Sequence, residues 1–272
     1  MIALLGQTVR DEIVHADGTE EVRCGGAPVF AASALASAGV RGIVITKGGD
    51  DELHAELSRR GLPVLIGPAD ETFVSRLILK EHGERDHELA SLGEPFTPAD
   101  VNGWARSSLE NAATIVVGTQ WRGDVPPETL TALHAFGRRI IFDAQGLARP
   151  GLGAVVPSGP LDPAWLTGVD AVKFSDEEAR ALLGGTDAAA MEQAGVPIVL
   201  VTYGEGGVDV WSRDEPDIVR VPADRIPRLA DTVGAGDMFT ALFAAALDQG
   251  EAPRAAAHTA THGVAEILRL RV

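Results

Sequence analysis

The sequence predicts an α/β fold built on a doubly wound sheet with helices on both faces. Three observations carry that expectation. Short, continuously apolar runs recur along the 272 residues, as strands buried on both faces require. Helical patterns separate many of them, as the crossovers of a parallel sheet demand. Two segments of period-two alternation with turn residues at their centres interrupt this order and read as hairpins.

Ile2-Ala3-Leu4-Leu5-Gly6 forms the first strand. Residues 11–23 (DEIVHADGTEEVR) place Asp17-Gly18 between alternating residues and give the first hairpin. Residues 29–38 make an Ala-rich helix stopped by Gly39, followed by a strand at 42–46, a helix at 51–60 and a strand at 63–66. Residues 72–91 alternate on either side of His82-Gly83 and give the second hairpin. Strands follow at 114–117, 140–143, 171–174 and 198–202, with helices at 127–136 and 176–183. An apolar, Ala-rich helix at 240–248 and a last helix carrying His258 and His262 complete the chain. No internal repeat or low-complexity linker divides it, so residues 1–272 are expected to form one domain. Ligands of doubly wound folds bind beyond the carboxyl ends of the strands. Two hairpins there would form a small β lid that closes over substrate.

Composition narrows the function. Hydrophobic residues make up 45% of the chain and charged residues 23%, the proportions of a folded protein. With 23 Lys+Arg against 39 Asp+Glu the formal net charge is −16, which argues against a nucleic-acid partner. No apolar run is long enough to span a bilayer, and the first residues lack the basic start of a signal peptide. The single cysteine, Cys24, has no partner for an internal disulfide, which fits a reducing cytoplasm. These features point to a cytoplasmic enzyme of small molecules, without nucleic-acid or membrane partners. An exposed lid edge offers a surface for a homodimer that the sequence does not force.

The strongest chemical signal is Asp231-Thr232-Val233-Gly234-Ala235-Gly236-Asp237 ahead of a helix. Gly234, Ala235 and Gly236 let a ligand approach the backbone and offer consecutive N–H groups to an anionic oxygen. A carboxylate at Asp237 would repel a resident phosphate. It makes sense beside an anion hole if it must take a proton from an attacking hydroxyl. The alternative is a helix start with a favourable acidic residue and a tight glycine turn.

The segment DTVGAGDMFTA resembles the C-terminal signature of the PfkB (ribokinase-like) family of ATP-dependent kinases. Other pieces fall in the family's order across nearly the whole chain. Gly25-Gly26-Ala27-Pro28 is similar to its di-glycine substrate motif, Gly6 and Asp11 to its first acidic motif, and Val201-Thr202-Tyr203-Gly204-Glu205-Gly206-Gly207 to its nucleotide segment. The resemblance implies a ribokinase-like three-layer α/β fold with a small β lid. It implies Asp237 as the base, the backbone of Gly234, Ala235 and Gly236 as the anion hole, and Thr232 along the phosphates. Thr202, Gly204 and Gly207 would border ATP, with His262 near the adenine, while Asp11, Gly25 and Gly26 would face the acceptor.

The chain departs from the family's pattern in two places. Where an Asn-x-x-Glu motif helps organise Mg²⁺, Ser175-Asp176-Glu177-Glu178 stands, so Glu178 is retained and Ser175 replaces Asn. Ser175 and Glu178 also form a capping-box pattern, which leaves part of the Glu178 carboxylate free to reach the metal through water. After the di-glycine, Phe30 stands near the place where many sugar kinases of the family carry Asn. The short chain, Gln145 in Phe142-Asp143-Ala144-Gln145-Gly146, and the Arg122-x-x-Val125-Pro126 turn look like the short archaeal-type branch that includes myo-inositol kinase. Gln145 would offer a donor and an acceptor to a ring of hydroxyls. The expected function is transfer of the ATP γ-phosphoryl group, with Mg²⁺, to a hydroxyl of a sugar, polyol or cyclitol, myo-inositol first. A nucleoside kinase, with Phe30 stacked on the base, and a non-catalytic binding protein that kept the fold are the alternatives. His82, His87, His258 and His262 form no recognisable metal motif.

Overall fold

A computed structural model describes residues 1–80, 85–155, 159–226 and 231–271. The chain enters through β1 (Ile2–Leu5), β2 (Val9–Val14), β3 (Glu20–Gly25), α1 (Ala27–Ser37), β4 (Gly42–Lys47), α2 (Asp51–Leu57) and β5 (Val64–Gly67). Next come β6 (Phe73–Leu79), β7 (Arg85–Leu92), α3 (Pro98–Asn102), α4 (Arg106–Glu110) and β8 (Thr114–Gly118). They are followed by α5 (Pro127–His134), β9 (Arg139–Asp143), β10 (Gly153–Ala154), β11 (Ala171–Ser175), α6 (Asp176–Leu183) and α7 (Ala188–Gln193). The chain closes with β12 (Ile198–Thr202), β13 (Val208–Ser212), β14 (Val219–Val221), α8 (Ala235–Asp248) and α9 (Pro253–Arg269).

The central sheet has the order β14-β13-β12-β11-β9-β8-β1-β4-β5. The run from β12 to β5 is parallel, while β13 and β14 are antiparallel at one edge. The expected sheet was parallel throughout. The difference has a simple cause: only Tyr203–Gly207 separates β12 from β13, too few residues for a parallel crossover. Alternate residues of each parallel strand feed two cores. Ile2 and Leu4 pack with Leu35 of α1 and Met238 and Phe243 of α8, whereas Ala3 and Leu5 pack with Phe96, Leu109 of α4 and Leu130 of α5. The chain order reverses at β1, which lies between β4 and β8, so a crevice opens at their carboxyl ends.

A second sheet, β10-β7-β6-β2-β3, is built from the two alternating segments. β2 and β3 pair antiparallel around a turn in which the Thr19 amide and hydroxyl both donate to Asp17 Oδ1, at 3.0 and 2.7 Å. β6 and β7 also pair antiparallel, and a parallel β2–β6 ladder joins the two hairpins. The expected turn at His82-Gly83 lies outside the described residues.

Several helix limits move. Helix α1 starts at Ala27, because Pro28 in its first turn loses no intrahelical hydrogen bond. Helix α2 ends at Leu57, and Ser58–Arg60 tighten into a 3-10 turn closed by Gly61 at φ 89°. Helix α8 starts at Ala235 instead of residue 240, since Gly236 inside the first turn hides the helical pattern from propensity. It runs between the sheet, α1 and α9, and is buried from Met238 to Leu247. Among the described residues no helix is long and apolar enough to cross a membrane.

Candidate active site

Helix α8 begins where Gly234, at φ 77°, turns the chain in the left-handed region. A Cβ on Gly234 would lie 2.1 Å from Cγ of Phe30, so the aromatic ring and the helix start fit only around a glycine. The approach is held by Val233 N–H donating to Asp231 Oδ1 (3.0 Å) and Ala235 N–H donating to Thr232 O (3.1 Å). The Ala235 amide, expected in the anion hole, is thus spent on the turn, while the Gly236 and Asp237 amides lack intrahelical partners and offer a place for anionic oxygen. Asp237 lies in that first turn, half-buried, against Asp143, Thr240, Leu4 and Leu5. Its carboxyl is pushed well above the usual range, first by burial and then by the Asp143 charge, while Lys173 and Arg149 pull it back.

Beneath the helix start lies a buried ion pair. Lys173 Nζ on β11 donates to both oxygens of Asp143 on β9, at 3.0 and 3.1 Å. The Thr240 hydroxyl donates to Asp143 Oδ2 (3.1 Å) and the Gln145 amide to Oδ1 (3.2 Å), so the carboxylate is fully occupied. A Cβ on Gly236 would come within 3.1 Å of Lys173 Nζ, so an ammonium stands directly under the backbone of the helix start. Asp143 and the neighbouring carboxylates hold this ammonium protonated far above the ordinary lysine range.

A cavity of about 900 Å³ opens on one side of this point, between the second sheet and the carboxyl ends of the central strands. Asp11, Phe30, Gln145, Ser175 and Glu178 line it. Asp11, on β2, is pushed up to about 6 by burial, against the lowering effects of the Ser75 hydroxyl and of Arg149. A Cβ on Gly25 would sit 1.8 Å from Asp11 Oδ2, and one on Gly26, at φ 96°, would sit 2.7 Å from Gln7 O. The two glycines thus work by making room for Asp11 and for the N-terminus of α1. Ser75 Oγ and His87 Nε2 lie 2.9 Å apart behind Asp11. The Cys24 thiol, pushed up to about 12 mainly by burial, stays protonated.

Ser175 and Glu178 form the expected capping box on α6: the Ser175 amide donates to Glu178 Oε2 (2.7 Å), and the Glu178 amide to Ser175 Oγ (3.2 Å). Glu178 Oε1 takes no part in this exchange. Among the described residues no three His, Cys, Asp or Glu side chains converge as a metal site. The arrangement therefore fits only a cation such as Mg²⁺ that keeps most of its waters and meets a single carboxylate oxygen.

A second pocket, about 270 Å³, lies on the other side of the helix start. Thr202, Gly204, Gly207 and Thr232 line its mouth, while Val208, Ile226, Phe239, Val264 and Leu268 give it apolar walls. His262 is exposed and outside this lining; its Nδ1 lies 2.7 Å from Oδ2 of Asp224, which does line the pocket. Asp231 and Val233 face the large cavity, whereas Thr232, Ala235 and Gly236 face the small one. Residues 231–236 are thus the wall the two spaces share.

Most of the residues singled out from the sequence line one of these two spaces; Asp237 lines neither and sits in a narrow cleft with Asp143 and Thr240, and His262 lies outside the lining. Sequence reasoning passed over Arg149 and Lys173, and named Asp143 only as a neighbour of Gln145. Lys173 carried a signal: a lysine in the middle of Ala171-Val172-Lys173-Phe174, an apolar strand, must have a buried partner. Arg149 follows a 3-10 turn (Ala144–Ala148) that no periodicity announces.

A doubly wound sheet with a second sheet across its carboxyl end, and a glycine-walled helix start between two cavities, defines a ribokinase-like protein. The chain belongs to the pfkB family of carbohydrate kinases, whose family model matches residues 1–269. It is 28% identical over 265 residues to the inositol 3-kinase of Zea mays, covering 90% of this chain, and it spans 65% of that relative's length. It is similar in fold to a pyrophosphate-dependent ribokinase-family kinase solved with a pyrophosphate analogue and myo-inositol. That comparison gives TM-score 0.82 and 22% identity over 99% of this chain and 95% of the other. It is also similar to the ribokinase of Arabidopsis thaliana solved with ribose and ATP, with TM-score 0.77 and 17% identity over 100% and 93% of the two chains.

Proposed function

We propose that this chain is a kinase that transfers the γ-phosphoryl group of ATP to a hydroxyl of a small cyclitol or sugar, with myo-inositol as the leading acceptor. The observation that carries this reading is the position of Asp237, in the first turn of the helix whose start separates a polar cavity from an apolar pocket. Asp11 accepts hydrogen bonds from neighbouring hydroxyls of the acceptor, and Gln145 adds a donor and an acceptor beside it. The second sheet covers this cavity and keeps water from the donor. Asp237, with a carboxyl tuned toward neutral pH, takes the acceptor's proton. The acceptor oxygen bonds to the γ-phosphorus as the bond to the β,γ-bridging oxygen breaks, and ADP leaves with that electron pair. The amides of the α8 start, with the Lys173 ammonium behind them, meet the charge on the moving group. Glu178 Oε1 would hold Mg²⁺ through water, and the ion would supply charge neutralisation to the donor's phosphates.

The solved neighbours carry two donors: ATP in the plant ribokinase and a pyrophosphate analogue in the pyrophosphate-dependent kinase. The apolar walls of the 270 Å³ pocket favour a donor with a base, since pyrophosphate has no apolar surface to bury there. The test is product formation with Mg-ATP or Mg-pyrophosphate across cyclitols, sugars and nucleosides, read by mass spectrometry. A phosphorylated cyclitol formed from ATP is expected. A phosphorylated nucleoside would replace the acceptor, and no product with either donor would overturn the reading.

A further inference from the structure

We infer that Ser75 and His87 are positioning residues for acceptor binding: the His87 imidazole fixes the Ser75 hydroxyl, and that hydroxyl fixes the Asp11 carboxylate. This rests on the kinase reading above, in which Asp11 meets the acceptor's hydroxyls. The three residues lie on the neighbouring strands β2, β6 and β7 of the second sheet, and all three line the large cavity. In the parallel β2–β6 ladder Asp11 stands opposite Ser75, so their side chains share a face. His87 reaches that face through an irregularity in β7. Phe73 pairs with Leu92 and Val74 with Ser91, but Ser75 then pairs with Leu89, which leaves Ala90 as an extra residue. Beyond it Leu77 pairs with His87. Without the extra residue His87 would stand opposite Ile78 and turn to the outer face. The bulge instead sets Ser75 Oγ and His87 Nε2 2.9 Å apart. The Val155 amide donates to the His87 carbonyl (2.9 Å) and pins β7 at this residue.

A serine hydroxyl has one proton to give. The Ser75 hydroxyl opposes the upward push of burial on the Asp11 carboxyl, so its proton serves Asp11 and its oxygen accepts from the Nε2–H of His87. With the imidazole donating to that oxygen, the hydroxyl proton stays aimed at the carboxylate. On its other side the carboxylate meets Gly25, where a Cβ would lie 1.8 Å from Oδ2. Ile13 and Leu77 flank these groups on the cavity wall. Apolar surroundings strengthen the hydrogen bonds and also favour a protonated carboxyl. The chain from His87 through Ser75 offsets that second effect and keeps Asp11 an acceptor for the hydroxyls of the substrate.

The test combines kinetics with myo-inositol and Mg-ATP, calorimetry of Mg-ATP, and a carbon-13 titration of the Asp11 carboxyl that needs no acceptor. Ser75→Ala and His87→Phe are each expected to raise the acceptor KM at least tenfold, with kcat and ATP binding within threefold of wild type. The double variant is expected to lose no more than either single one, since the imidazole acts only through the hydroxyl. His87→Gln, whose side-chain amide donates to Ser75 from nearly the same place, is expected to recover most of the loss. The Asp11 midpoint should rise in both Ser75→Ala and His87→Phe and stay near wild type in His87→Gln, with Arg23 and Arg149, the charges that act on it, left in place. Losses that multiply in the double variant would mean that His87 touches the acceptor itself, and they overturn the inference, as does a KM within threefold of wild type in either single variant. A wild type that leaves myo-inositol unphosphorylated counts against the acceptor reading, and the titration then decides alone. A raised midpoint in both variants supports the positioning role, and an unchanged one overturns it.

Discussion

The Asp11 carboxylate fills the space that a side chain at position 25 would need: a Cβ there would lie 1.8 Å from Oδ2. These residues meet diagonally across the antiparallel β2–β3 pair, in which Val9 stands opposite Gly25 and Asp11 opposite Arg23. Gly25→Ala must therefore push Asp11 out of the cavity. The acceptor KM is expected to rise at least tenfold in this variant, with ATP binding unchanged by calorimetry.

The raised carboxyl of Asp11 ties acceptor binding to pH. Asp11 titrates near 6 in the folded chain against about 3.9 when unfolded, so it accepts hydroxyl hydrogen bonds fully only above 6. The acceptor kcat/KM is expected to fall as pH drops through about 6. The stability sign is opposite. A raised carboxyl favours folding below the unfolded value and loses that contribution as pH climbs through the folded one. Asp11→Asn should thus melt a few degrees above wild type at pH 8 and level with it below pH 4, while binding acceptor poorly.

Lys173 is expected to matter for stability as much as for rate. Lys173→Met leaves Asp143 charged and buried beside Asp237, a change that costs about 3–5 kcal/mol in comparable buried pairs. Denaturant unfolding should show that loss. Lys173→Met combined with Asp143→Leu should recover part of the stability and none of the activity.

The apolar pocket predicts donor choice. Ala223 stands half-buried at its wall, so Ala223→Phe narrows it with little cost to the core. The ATP KM should increase about tenfold or more, and binding of inorganic pyrophosphate should stay as in wild type.

Much of this site was legible in the sequence, for reasons that can be named. Strands β1, β8 and β12 are continuous apolar runs, and Asp231 to Asp237 is a long, specific pattern on a single turn, so local order alone exposes them. The β2–β6 ladder joins two hairpins some sixty residues apart, and no local pattern encodes that pairing. Arg149 escaped for a similar reason: it follows a 3-10 turn outside any period, and only the fold sets it beside Asp11 and Gln145 on the large cavity. Phe30, read as a pocket aromatic, does line the cavity. Its contact with Gly234, however, makes it a support for the α8 start, which a sequence reader sees as two unrelated positions.

The account turns on Asp237 as the base, and the direct measurement is a single-turnover assay of wild type and Asp237→Asn with Mg-ATP and myo-inositol. The variant should bind both ligands within a few-fold of wild type and transfer phosphoryl about 10²–10⁴ times more slowly. Transfer at near wild-type rate by Asp237→Asn would contradict it.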